Sequence, residues 1–394
     1  MEKTKVVCLL LLLLLTSFSF QNPVTLKSET WDANYIIESK VTYTNKGHKM
    51  WNLTEEDRTV RLFMNNTWQT VNLTDHSHPL ENVTLDEDGN PIVLLQFQSE
   101  LSPGESKSYS VTYQVLSRQR WLPTIAEEES WVTENITEAL RQKYCKEDDT
   151  WQTENQIIRE QAHSIAQNET NVLRIVTGFI EWIWRNITYE SYEVPQYPNQ
   201  TLASGKGDCD DQAILLVTFC RILRIPAYLQ IGCIYTSDKY ENETGWNGHV
   251  TNIEKRIGWH GWAMVYVPPW GWLPVDLTYV KGSRDNPLNA IRNGAVSSYI
   301  ETIQYANISE MDYVASSLNY RKFIIENDFY ICEEDEMTLI SKAGLWESLT
   351  KKWVQRVFII LVIATCSVIV VYAYISREKK KQLRETGSGP EKLH

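Results

Sequence analysis

The stretch "CDDQAILLVTFCRILRIP", residues 209–226, constrains the fold more than any other part of the chain. A helix drawn over it is apolar on nearly every face, so it has to lie enclosed in the centre of a domain. Pro226 marks its stop. The preceding "SGKGD" supplies two glycines, which permit a tight backbone approach, and Asp208, a good N-cap residue. Cys209 therefore opens a buried helix. Three carboxylates, on Asp208, Asp210 and Asp211, crowd it, although a thiolate needs positive surroundings. The helix N-terminus provides them. Its unpaired N–H groups and positive dipole end favour a thiolate and can hold an oxyanion. As first-turn residues, the aspartates complement the same dipole.

A nucleophilic cysteine needs a base, and the base needs a group that orients it. His260 opens the strand pattern "HGWAMVYV", downstream of Cys209. Asp276 lies in "LPVDLT", the next strand pattern, between Val275 and Leu277. An aspartate there implies a buried partner. The two strands form a hairpin around "PPWG". A four-residue turn puts Asp276 opposite Ala263, three residues from His260 and about 10 Å away along the strand. A bulge, a twist or a different loop has to close that gap.

Taken together, "GKGDCDDQAILLVTFCRILRIPAYLQIGCIY" and "WHGWAMVYVPPWGWLPVDLTY" resemble the transglutaminase-like superfamily over roughly residues 150–340. Its pattern has a cysteine in a "GDCDD-x-A" context, a histidine in "H-A-W" and an aspartate in "P-V-D-P-T". The matching residues are Cys209, His260 and Asp276, with Gly261 in place of the alanine and Leu277 in place of the proline. The resemblance implies a papain-like arrangement. Cys209 attacks an amide carbonyl, His260 moves the proton, Asp276 orients the imidazole, and a thioester forms. Trp184, Tyr189 and the backbone N–H of Cys209 are candidates for the oxyanion donors. The N-terminal part resembles that of archaeal membrane-anchored members.

The rest of the chain sets the expected architecture. "YIIESKVTYTN", "TVRLFMNN", "PIVLLQFQS" and "SKSYSVTYQVL" alternate apolar and polar residues between turn clusters, which predicts a small β-sandwich over 21–118. An acidic connecting segment covers 119–150. Apolar spacing from Gln156 to Arg185 predicts two helices broken around "QNET". "AYLQIGCIY", "SSYIETIQYA" and "RKFIIENDFYI" read as strands. The expected fold class is thus α+β: a papain-like, transglutaminase-like domain over 151–345, preceded by the sandwich.

Both ends read differently. Residues 1–20 have a short basic start and a leucine-rich run, the pattern of a secretory signal. "VFIILVIATCSVIVVYAYI", Val357–Ile375, carries no charge and predicts a single transmembrane helix within 354–376. Arg377, Lys379, Lys380, Lys381 and Arg384 follow it, which places the 377–394 tail in the cytoplasm and residues 21–353 outside the cell. Ten N-x-[ST] triplets, at Asn52, Asn65, Asn72, Asn82, Asn135, Asn168, Asn186, Asn199, Asn242 and Asn307, favour N-linked glycans. Five cysteines lie between the two ends: Cys145, Cys209, Cys220, Cys233 and Cys332. Four of them allow two disulfides in three connectivities, with Cys209 free; all five reduced is the alternative.

Partners and cofactors follow. A net charge of −12 argues against a nucleic-acid binder. No cofactor and no metal are expected, because the aspartates around Cys209 lack EF-hand spacing. His76 and His78 in "DHSHP" and His249 in "WNGHVTN" read as loop residues, and Cys220 and Cys233 as core. The expected function is a cell-surface thiol enzyme performing acyl transfer at amide bonds of a polypeptide substrate, as a protease or amidase rather than a cross-linking transglutaminase. The alternative is a cell-surface binding or adhesion protein on the same scaffold.

Overall fold

The computed structural model describes residues 32–147, 150–343, 359, 360, 363, 365 and 367–382. The chain divides into two units, one of residues 31–343 and one of residues 1–30 with 344–394.

The 31–343 unit has mixed α/β content built on one eight-stranded sheet. Its strands are β1 (Asp32–Asn45), β2 (Gln69–His76), β3 (Ser106–Arg118), β4 (Ala227–Gly245), β5 (Val250–Val267), β6 (Gly271–Val275), β7 (Thr302–Ile308) and β8 (Phe329–Ala343). The order is β7-β4-β5-β8-β1-β3-β2, with β6 also paired to β5. β1, β2 and β3, from the N-terminal part, thus continue the sheet that carries the hairpin. The shorter strands between Trp51 and Leu101 form separate two- and three-stranded sheets.

Strand β5 organises the unit. Along one edge it pairs with β4. On the other, Val250–Lys255 run parallel to β8, and Ala263–Val267 run antiparallel to β6. Residues 256–262, which include His260, sit in the gap between those two ladders.

Four helices matter for the site: α1 (Gln156–Ala166), α2 (Val172–Asn186), α3 (Cys209–Ile222) and α4 (Tyr313–Glu326). Asn155 and Asn171 cap α1 and α2 by accepting backbone N–H groups. Every α3 residue from Asp211 to Ile222 is buried. Its single cation, Arg221, is satisfied: Nε donates to Ala227 O at 2.9 Å, Nη2 donates to Ser309 O at 3.1 Å, and the guanidinium stacks on Trp151. One apolar core gathers Ile158, Phe179, Phe219 and Leu273 around α3. A second gathers Tyr35, Val111, Val115 and Phe329.

The segment "RKFIIENDFYI" is not one strand. Its first half ends α4, which Asp312 caps by accepting the Ala315 N–H at 3.0 Å. Asp328 then takes a left-handed φ of +51°, and β8 starts at Phe329. The apolar run serves a helix up to Glu326 because Ile324 packs into the second core.

The expected transmembrane helix is overturned. Among the described residues no helix is long and apolar enough to cross a membrane. The unbroken described helix, 367–382, carries Arg377, Glu378, Lys379, Lys380 and Lys381. The same finding overturns the single-pass placement at the cell membrane. The 1–20 signal reading lies outside the described residues, as do residues 383–394 of the 377–394 tail reading.

Candidate active site

Two glycines shape the approach to Cys209. Gly205 ends the helix Pro198–Ser204 with a φ of +66°. At Gly207 a Cβ would sit 2.8 Å from Asp211 Cβ and 3.0 Å from Thr201 Cγ2, so only glycine fits. Next comes Asp208 as N-cap. Its Oδ1 accepts the Asp211 N–H at 3.5 Å, and Asp211 Oδ2 accepts the Asp208 N–H at 3.2 Å. This reciprocal capping box places partly exposed Cys209 at the first position of α3.

The three aspartates point in different directions. Asp211 is fully buried and turned toward the 190–197 loop, where it accepts the Gln196 N–H at 2.6 Å and Gln196 Nε2 at 3.0 Å. Asp208 and Asp210 stay near the sulfur, with carboxylate oxygens within 4.8 Å of it and of each other. Burial raises the Asp208 pKa well above the carboxylate range, and Asp210, Asp211 and Cys209 raise it further. Beyond them a cavity of about 360 Å³ is lined by Asp208, Asp210, Glu254, Glu333 and Asp335.

The hairpin register differs from the four-residue expectation by one residue. Val267 pairs with Gly271 and Ala263 with Val275, so the loop is Pro268–Trp270. Gly271, at a φ of +84°, makes this tighter closure without strain. The change has a large effect. Opposite Ala263, Asp276 would have projected from the other face than His260. One position further along, it aligns with Trp262, two residues from His260 and on the same face. His260 Nε2 accordingly lies 2.9 Å from Asp276 Oδ2.

Asp276 is almost fully buried, and each of its contacts comes from a donor. Oδ1 accepts the N–H groups of Thr278 at 3.1 Å and Tyr279 at 2.9 Å. Oδ2 accepts the Ala295 N–H at 3.0 Å beside the imidazole. Gly294 makes this packing possible, since a Cβ there would stand 2.6 Å from Asp276 Cβ.

His260 is 8% exposed. Burial works against its charged form. The Asp276 carboxylate, and then the neighbouring Cys209, outweigh burial and push the pKa up to about 10. With Nε2 taken by Asp276, Nδ1 is the ring nitrogen left for a second partner. The arrangement can hold a protonated imidazole between a sulfur and a carboxylate.

Other sequence-level candidates separate from this centre. Trp184 Nε1 donates to Leu277 O at 2.8 Å, which uses its only donor. Tyr189 is 54% exposed beside the sulfur, where burial and the charges of Cys209 and Asp208 raise its pKa. His249 lies in the turn just before β5, as expected of a loop residue, but it is buried there, with Nδ1 2.9 Å from Phe329 O. Trp262 packs 5.8 Å from the His260 ring and donates to Gln230 Oε1. Sequence reasoning passed over Tyr313, whose hydroxyl donates to Asp210 Oδ2 at 2.9 Å. No local signal marks it, because it comes from α4, 103 residues away.

The pattern of the transglutaminase-like superfamily matches residues 159–277, an interval that contains Cys209, His260 and Asp276. Residues 159–277 carry a transglutaminase-like core. Most of the chain is similar in fold to a candidate cysteine protease from Cytophaga hutchinsonii. That likeness has a TM-score of 0.50 at 16% identity, and it covers 80% of this chain and 94% of that one. A red sea bream transglutaminase is matched at 10% identity and a TM-score of 0.25, over 64% of this chain and 48% of that one. No curated protein matches the sequence. The transglutaminase-like core thus holds a cysteine at a helix start facing a buried histidine–aspartate pair.

Proposed function

We propose that this protein is a cysteine-dependent enzyme that performs acyl transfer at amide bonds of polypeptides, with Cys209 as nucleophile, His260 as acid and base, and Asp276 as the group that orients it. One observation carries the reading: inside the transglutaminase-like core, the buried His260 is hydrogen-bonded to Asp276 at 2.9 Å, with Cys209 among the groups that act on its charge.

In this reading the Cys209 thiolate attacks the carbonyl carbon and forms the C–S bond. The oxyanion faces the N–H of Cys209 at the positive end of α3. His260 delivers its proton to the leaving nitrogen as the C–N bond breaks, and a thioester remains. Water or an amine then gives its proton to His260, attacks the thioester and returns the thiolate. Asp276 holds the imidazole in place throughout. Hydrolysis is favoured over cross-linking, since the C. hutchinsonii protein whose fold this chain shares is itself a candidate cysteine protease.

The test is alkylation with iodoacetamide at neutral pH, read at Cys209 by peptide mass spectrometry. Cys209 is expected to react faster than a model thiol, and Cys209→Ala to abolish amide cleavage. A Cys209 no faster than a model thiol, with activity intact in Cys209→Ala, overturns the reading. Supplying a labelled primary amine with glutaminyl peptides separates transamidation from hydrolysis.

A further inference from the structure

Asp210 is the carboxylate beside the sulfur that the proposed reaction leaves without a role. Three contacts fix it. Its Oδ1 accepts the Asp211 N–H at 3.1 Å, and its Oδ2 accepts the Tyr313 hydroxyl at 2.9 Å. Its Cβ fills the space where a side chain at 261 would begin: a Cβ on Gly261 would stand 3.1 Å from Asp210 Cβ and 3.3 Å from its Cα. Gly261 is one of the two departures from the superfamily pattern, so the tight seat of Asp210 against β5 goes with this chain's own residue.

We propose that Asp210 and Tyr313 set the pH at which Cys209 becomes a thiolate, Asp210 by its charge beside the sulfur and Tyr313 by tethering that charge and partly neutralising it. The proposal rests on the reading of Cys209 as nucleophile.

The electrostatics around the sulfur favour this pair over its neighbours. On α3, Asp208 also lies within 4.8 Å, but burial disfavours its charged form. Asp211 spends its oxygens on Gln196 and the Asp208 N–H. From β5 comes His260, which favours the thiolate, and Glu254, which is paired to Lys239 at 2.6 Å. Tyr189 approaches from the segment before α3. Glu333 and Asp335 of β8 stand across the cavity, with Asp335 accepting from Ser39 and Trp259. Glu193, in the loop above, is paired to Arg321. Asp210 thus acts directly on the sulfur, and a like charge at such range raises the cost of ionising it. Tyr313 is a positioning residue that works through Asp210.

The experiment follows the rate of Cys209 alkylation with pH in the full chain, for variants that keep the wild-type circular dichroism spectrum. Asp210→Asn is expected to move the alkylation midpoint down by about one pH unit. Tyr313→Phe is expected to move it up. Midpoints that stay in place, or that move in the same direction, overturn the proposal. If Asp210→Asn does not fold, Tyr313→Phe decides alone: an upward shift supports the proposal, and no shift or a downward one overturns it. The underlying reading fails separately, if His260→Ala leaves the alkylation rate of Cys209 unchanged.

Discussion

His260 and Asp276 face each other across 2.9 Å because the hairpin between them closes through three residues rather than four. A strand shows alternate residues to opposite faces, so one residue of loop decides whether the two side chains meet or diverge.

Asp276→Asn is expected to reduce amide-cleaving activity at least about 100-fold. Every group around the carboxylate donates: the imidazole and the N–H groups of Thr278, Tyr279 and Ala295. An amide has only one acceptor oxygen, so its NH₂ must face a donor. The buried mismatch should cost about 1–3 kcal/mol of stability, read by urea unfolding. Wild-type activity in this variant would remove Asp276 from the mechanism.

The raised pKa of His260 makes stability depend on pH. Folding holds the imidazolium more tightly than the unfolded chain does, with a pKa of about 10 in the folded protein. Its contribution is therefore complete below about pH 6.5, the ordinary histidine value, and is lost as pH rises toward 10. Melting temperature against pH should fall over that window in the wild type and fall less in His260→Gln. Parallel curves for the two proteins would contradict this.

Gly294→Ala tests the support behind Asp276. The new methyl would meet Asp276 Cβ at 2.6 Å and Ala290 O, a backbone atom, at 2.8 Å. Neither yields cheaply, so the variant should lose about 1–3 kcal/mol and lose activity beyond its loss of folded protein. Activity per folded molecule, from active-site titration, is the measurement.

Arg221→Met should separate stability from chemistry. It leaves the buried carbonyls of Ala227 and Ser309 without their guanidinium donor. A loss of about 2–4 kcal/mol in denaturant unfolding is expected, with alkylation of Cys209 unchanged below the transition. A changed alkylation midpoint would tie Arg221 to the site.

What the sequence determined by itself is local. The apolar run after Cys209 demanded an enclosed helix, Asp208 and the glycines set its start, and Pro226 followed its end. These features rest on hydrogen bonds and packing periods within a few residues. The strands on either side of "PPWG" were legible for the same reason. The meeting of His260 with Asp276 was not, because it turns on one residue of loop length. Asp210 meeting Tyr313 was not legible either, since α4 approaches α3 only after the chain has passed through β4 to β7. An apolar run also misled: residues 357–375 read as a membrane span, while among the described residues no helix is long and apolar enough to cross one. The sharing of one sheet by β1–β3 and β4–β8 likewise belongs to the tertiary structure. Strand pairing joins backbone groups from anywhere in the chain, and no local pattern records which edge a strand will take.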